Sequence, residues 1–232
     1  MLCSGHEPRR APGHDDPLFE RMFPPGGAFE RQAPIACEEA KTHDSIDPVP
    51  FSIQRMTPTD FRKACPNLAE IYIAAMGHDR SVLRATVDVW RRKSTLDGFV
   101  AVSACHEDQI VGFAFGYPGD SGRWWQDQIV KSLKQLHRYE QWRDLMEMHF
   151  HLTEIHVAPG WQGHRLGERM LRELLAHTRL PRALLSTPEV PREDNRAFRL
   201  YRRLGFYDVA RIIHFPGSRE EWAIMAADLP LR

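Results

Sequence analysis

Between residues 149 and 168 the chain concentrates the groups best able to do chemistry: imidazoles at His149, His151 and His156, a carboxylate at Glu154, and the turn Gln162-Gly163-His164-Arg165-Leu166-Gly167. An imidazole titrates near ~6.5 and can accept an ammonium proton directly or through water; Glu154 is the rival base. Residues 151–157 alternate as a strand, with Leu152, Glu154 and His156 on one face and Thr153, Ile155 and Val157 on the other. His151 then shares the Ile155/Val157 face, and Glu154 points away unless a bulge re-aims it. Such scatter over two faces argues against a metal site, and no metal is expected. The plain alternative for these side chains is ordinary solvation or hydrogen bonding.

Pro159 and Gly160 stop the strand, and Leu166, Met170, Leu171, Leu174 and Leu175 then recur at helical spacing. A strand that delivers a glycine-containing turn into a helix aims free backbone N–H groups at one point, with the positive end of the helix dipole behind them. That is a phosphate cradle. It lacks the Lys-Ser/Thr pair of a P-loop and the three-glycine spacing of a dinucleotide fold.

These groups must be positioned by one core. The 232 residues, 42% of them apolar, suffice for one domain and a tail. Lys+Arg and Asp+Glu both number 31, so neither nucleic acid nor an anionic membrane is expected as a partner. Cys3, Cys37, Cys65 and Cys105 have no paired spacing, which favours reduced thiols and a cytoplasmic protein. Residues 1–50 hold eight of the 17 prolines and no sustained period, and are expected to be a disordered tail. From residue 51 the pattern predicts a strand at 51–56, helices near 67–76 and 81–93, and a hairpin of 99–105 with 110–117. After residue 175 it predicts a strand near 183–186, a helix at 195–204 capped by Gly205, and strands near 206–215 and 222–228.

The turn resembles the Gln/Arg-x-x-Gly-x-Gly/Ala pyrophosphate-binding turn of the GCN5-related N-acetyltransferases (GNAT): Gln162, Leu166 and Gly167 match, and Arg165 stands where the first glycine usually is. Downstream, Asn195-Arg-Ala-Phe-Arg-Leu-Tyr201-Arg-Arg-Leu-Gly205-Phe206 is similar to that family's Asn-x-x-Ala-x-x-x-Tyr-x-x-x-Gly-Phe helix, with one residue of drift. The resemblance implies an α/β (α+β) fold over 51–232, with a mixed, largely antiparallel central sheet, flanking helices and an acyl-CoA site. It implies an enzyme that moves an acetyl group from acetyl-CoA to a primary amine, by direct transfer in a ternary complex, with a small-molecule acceptor as the first reading. A non-catalytic acyl-CoA-binding module and a protein or peptide acetyltransferase are the alternatives.

By the same resemblance, backbone groups around Ile155, His156 and Val157 hold the pantetheine arm, and those of Gly163, His164, Arg165, Leu166, Gly167 and Glu168 take the pyrophosphate, with Gln162 and Asn195 completing the cofactor set. Tyr201 holds the position of the acid that protonates the departing thiolate, since a phenol with a pKa near ~10 suits that leaving group. Tyr201 also falls on an apolar stripe with Ala197, Leu200 and Leu204, so a core aromatic is the alternative. His151 is the expected general base, with Glu154 as its rival. Residues 119–148 are longer than the family's usual link and carry Trp124, Trp125 and Trp142. They read as an added helix that packs on the sheet, walls the acceptor pocket or makes a dimer contact.

Overall fold

The computed structural model describes residues 51–232; the expected tail, 1–50, lies outside the described residues. Strand β1 (Ser52–Met56) leads into helix α1 (Pro58–Met76), which starts because Thr57 Oγ1 accepts the Asp60 N–H at 3.1 Å and Pro58 fits the first turn. The helix runs through Pro66 instead of starting after it, so it is about two and a half turns longer at its front than proline avoidance suggests. Helix α2 (Leu83–Lys93) follows, then β2 (Val100–His106) and β3 (Gln109–Pro118). The 119–148 segment forms two helices, α3 (Trp124–Gln135) and α4 (Tyr139–Glu147). Then come β4 (Phe150–Val157), α5 (Leu166–Ala176), β5 (Arg182–Pro188), α6 (Arg196–Arg203), β6 (Tyr207–His214) and β7 (Glu221–Asp228).

The seven strands form one sheet in the order β1-β2-β3-β4-β5-β7-β6, antiparallel except at β4–β5. That parallel pairing covers only Phe150↔Ala183 and His151↔Leu184, and beyond it the two strands part. Helices α5 and α6 cover one face, burying Phe150, Leu152, Leu171 and Phe198. On the other face α1 and α2 pack over Phe113 and Phe115, while α3 and α4 pack over Leu184 and Ile224. Fully buried side chains of this size stabilise the fold by about 1.5–3 kcal/mol each.

The expected alternation of β4 does not hold. Phe115 pairs with Glu154 but the next residue, Gly116, pairs with Leu152, so Thr153 is an extra, unpaired residue. This β-bulge inverts the facing of everything after it. Leu152, Ile155 and Val157 share the α5/α6 face, whereas His151, Glu154 and His156 register with Tyr117, Phe115 and Phe113 on the opposite one. Gly116 makes the close approach possible: a Cβ there would lie 2.3 Å from the His151 carbonyl oxygen. Among the described residues no helix is long and apolar enough to cross a membrane.

Candidate active site

The parting of β4 and β5 creates the site. β4 stays paired with β3 out to Val157, but its other edge loses β5 after His151, which leaves backbone donors and acceptors open along a gap. A cleft of about 1480 Å³ runs through this gap, from the start of α5 to a mouth between α1/α2 and α3. At the α5 end, Gly163 (φ 95°) and Arg165 (φ 58°) turn the chain into the helix, and no side chain caps it. The first-turn N–H groups therefore remain open to an anion. Gln162 braces the turn: its amide donates to the Val157 carbonyl at 3.2 Å, and its oxygen accepts from Arg196 at 2.5 Å. Glu168, the carboxylate nearest the cradle, is bonded by Arg172 and Arg203. Burial works to raise its pKa, but these two arginines outweigh burial and hold the carboxyl below its usual range. The donor set fits a pyrophosphate.

Further along the gap stand the groups that move protons. Tyr201 on α6 is buried with its ring 5.4 Å from Phe206, yet it lines the cleft, and its hydroxyl has no hydrogen-bond partner among the described residues. Burial, and then the nearby Glu154 charge, push the phenol well above its usual pKa, so it stays protonated. Across the gap, His156 Nε2 donates to Glu154 Oε2 at 2.8 Å, with the two side chains only 11% and 14% exposed. The His156 ring is edged by Tyr72 at 5.0 Å. His78 lies nearby with a buried, unpartnered Nε2; burial is the main cause of its lowered pKa.

His151 is placed differently. It is stacked on Trp125 at 3.7 Å and 7°, with Tyr117 against its edge at 5.2 Å, while Trp125 Nε1 donates to Ser186 Oγ on β5 at 3.0 Å. Trp125 thus bridges the two parted strands. Burial first, then the charges of Lys93, His149 and Arg123, push the His151 imidazole well below its usual range.

Most of the residues singled out in the sequence line this one cleft: His151, Glu154, Ile155, His156, Val157, Tyr201 and the turn from Gln162 to Glu168 apart from His164. His164 instead packs 5.1 Å from the Phe51 ring, and Asn195 uses its side chain to cap α6, accepting the Phe198 N–H at 2.8 Å. Tyr72, Ser186, Lys93 and Arg123 escaped the sequence reading. Each depends on which helix or strand edge faces the gap, a tertiary fact with no local signal.

Comparison with known proteins agrees with this geometry. The family model described as "Acetyltransferase (GNAT) family" matches residues 65–206. A GCN5-like protein acetyltransferase of Mycobacterium tuberculosis is 36% identical over 200 residues, spanning 76% of this chain and 97% of that relative. Among solved structures, a GNAT-family acetyltransferase from Desulfovibrio desulfuricans aligns with a TM-score of 0.55 at 15% identity, over 77% of this chain and 99% of its own. An acetyltransferase from Salmonella typhimurium, solved with its cofactor acetyl-CoA, aligns at 0.54 and 17% identity, over 78% and 94%. With a family match across more than half its length and a close relative along most of it, this chain belongs to the GNAT family and is an acetyl-CoA-dependent acetyltransferase.

Proposed function

We propose that the protein acetylates a primary amine that enters the mouth between α1/α2 and α3, in a ternary complex with acetyl-CoA. Bound acetyl-CoA supplies an activated acetyl thioester. The α5 N-terminus and Gln162 to Glu168 (His164 apart) hold its pyrophosphate, and the open edge of β4 around Ile155 to Val157 orients its arm and polarises the carbonyl. Glu154, steadied by His156, takes the proton from the incoming ammonium group. Tyr201, kept protonated, gives one to the departing thiolate. The observation that carries this reading is the meeting of Glu154 and Tyr201 across the β4/β5 gap, in one cleft with the cradle.

A small-molecule acceptor is supported by the aromatic lining of the cleft, Tyr72, Tyr117 and Trp125. An amine on a protein is favoured by the 36% identical relative, described as a protein acetyltransferase. Single-turnover release of free coenzyme A, followed by thiol titration with small amines and lysine peptides, tests the proposal. Saturable coenzyme A binding with no thiol released by any amine would leave a non-catalytic binding module.

A further inference from the structure

We propose that the acceptor amine carries a carboxylate, received at the mouth of the cleft by Arg92, Lys93 and Arg123. This rests on the reading of that mouth as the acceptor entrance. All three cations line the cleft, on the face of the sheet opposite the α5 cradle, which already provides for the cofactor's phosphates. The side chains of Arg92 and Lys93 have no hydrogen bond or ion pair among the described residues, whereas their backbone carbonyls accept from Thr95 and Leu96.

The ordinary role of a basic last turn is to complement the dipole of its own helix. The last turn of α2 carries three cations, Arg91, Arg92 and Lys93; Arg91 is engaged elsewhere, its Nε donating to the Arg62 carbonyl of α1 at 3.2 Å. Arg123 has no such excuse. It sits at the start of α3, the positive end of that helix, with no side-chain cap. A cation there is disfavoured by the dipole, whereas an anion would be welcome. Its Nε is buried without a partner, its guanidinium lies 5.3 Å from the Tyr117 ring, and its carboxylate contact, Asp120, is 3.5 Å away. Lys93, Arg123 and His151 line the same cleft, and both cations lie within electrostatic reach of the imidazole.

Counter-charge at this mouth is partial: Asp120 pairs with Arg123 at 3.5 Å, Asp127 in the first turn of α3 accepts the Gly122 N–H at 3.1 Å, and Glu154 is bonded to His156. The charges of Arg92 and Lys93 are left unpaired among the described residues and open to a carboxylate that enters the cleft.

The test uses the full chain and two matched pairs of acceptors: 4-aminobutyrate against its amide, and a lysine peptide with flanking Asp against the same peptide with Asn. The carboxylated member should be preferred in kcat/KM by about tenfold or more in at least one pair. That preference should collapse in Lys93→Glu and in Arg123→Gln, and in the unaltered enzyme it should shrink as NaCl rises from about 0.05 to about 0.5 M. The salt series stands even if a variant folds poorly. The pair that responds identifies a free metabolite or a peptide as the source of the carboxylate. Equal turnover within both pairs, or a preference indifferent to salt and to both substitutions, would overturn this proposal and leave acetyl transfer standing. No turnover of any amine would sink the acetyl-transfer reading itself, and this proposal with it.

Discussion

Tyr201 and Glu154 answer each other across the gap. Burial, and then the carboxylate, keep the phenol protonated, which is the state a general acid requires. Removing only the hydroxyl in Tyr201→Phe should lower kcat roughly 100- to 10,000-fold while Tm stays put, because no hydrogen bond to the described residues is lost. Unchanged turnover would return the residue to the apolar stripe it shares with Leu204. For the base, Glu154→Gln should lower kcat/KM roughly 100-fold or more, whereas His151→Asn should chiefly lower Tm. The reverse pattern of losses would make His151 the base. Tyr201 was legible because its motif is local. The facing of Glu154 was not, since one unpaired residue at Thr153 inverts a strand without leaving a mark in the pattern of polar and apolar side chains.

At the scale of elements, the turn into α5 reconciles a conflict visible in the sequence. Arg165 occupies a glycine's place and adopts a left-handed conformation, φ 58° and ψ 18°, that costs an L-residue about 1–2 kcal/mol. Its guanidinium has no ion-pair partner among the described residues and lines the cleft, so a bound phosphate can repay the strain. In Arg165→Gly, relief of that strain and the greater freedom of the unfolded chain nearly cancel, so Tm should be no lower. Coenzyme A affinity should fall by about tenfold, the worth of one charge-assisted hydrogen bond, as calorimetric titration would record. Unaltered affinity would mean that the backbone N–H groups hold the pyrophosphate alone. The elements themselves were largely readable, since strand and helix periods and the glycine after α6 act locally, whereas Asn195, expected in the cofactor set, caps α6. What α3 does was not. Helical spacing of Ile129, Leu133 and Leu136 suggests one packed stripe, of which Ile129 and Leu133 are buried and Leu136 is exposed, and nothing in the text of the chain says that Trp125 reaches Ser186 on a strand some 60 residues away.

Across the whole molecule, the sheet is two halves joined by a two-residue parallel pairing, and the joint is packed by histidines. His149 is 1% exposed, and its Nδ1–H donates to the Leu145 carbonyl at 2.8 Å, which leaves Nε2 unprotonated and buried without a partner. Burial pushes its pKa down to about 4, and His151, next along the strand but one, is pushed down as well. Both values lie below that of an unfolded histidine, near ~6.5, so between the two the unfolded chain binds more protons. Stability is therefore fully present above ~6.5 and is lost as pH falls towards the folded values. For His149 alone the loss amounts to on the order of 3 kcal/mol by pH 4. Thermal unfolding at pH 7.5, 6, 5 and 4.5 should show Tm falling across that window, more steeply than in His149→Asn, whose side-chain amide can still donate to Leu145 but cannot titrate. The reading is the slope with pH, since loss of the ring lowers Tm of the variant at every pH. Parallel curves for the two proteins would mean that protonation of this joint does not limit the fold, and that the halves are held by the helices packed across them.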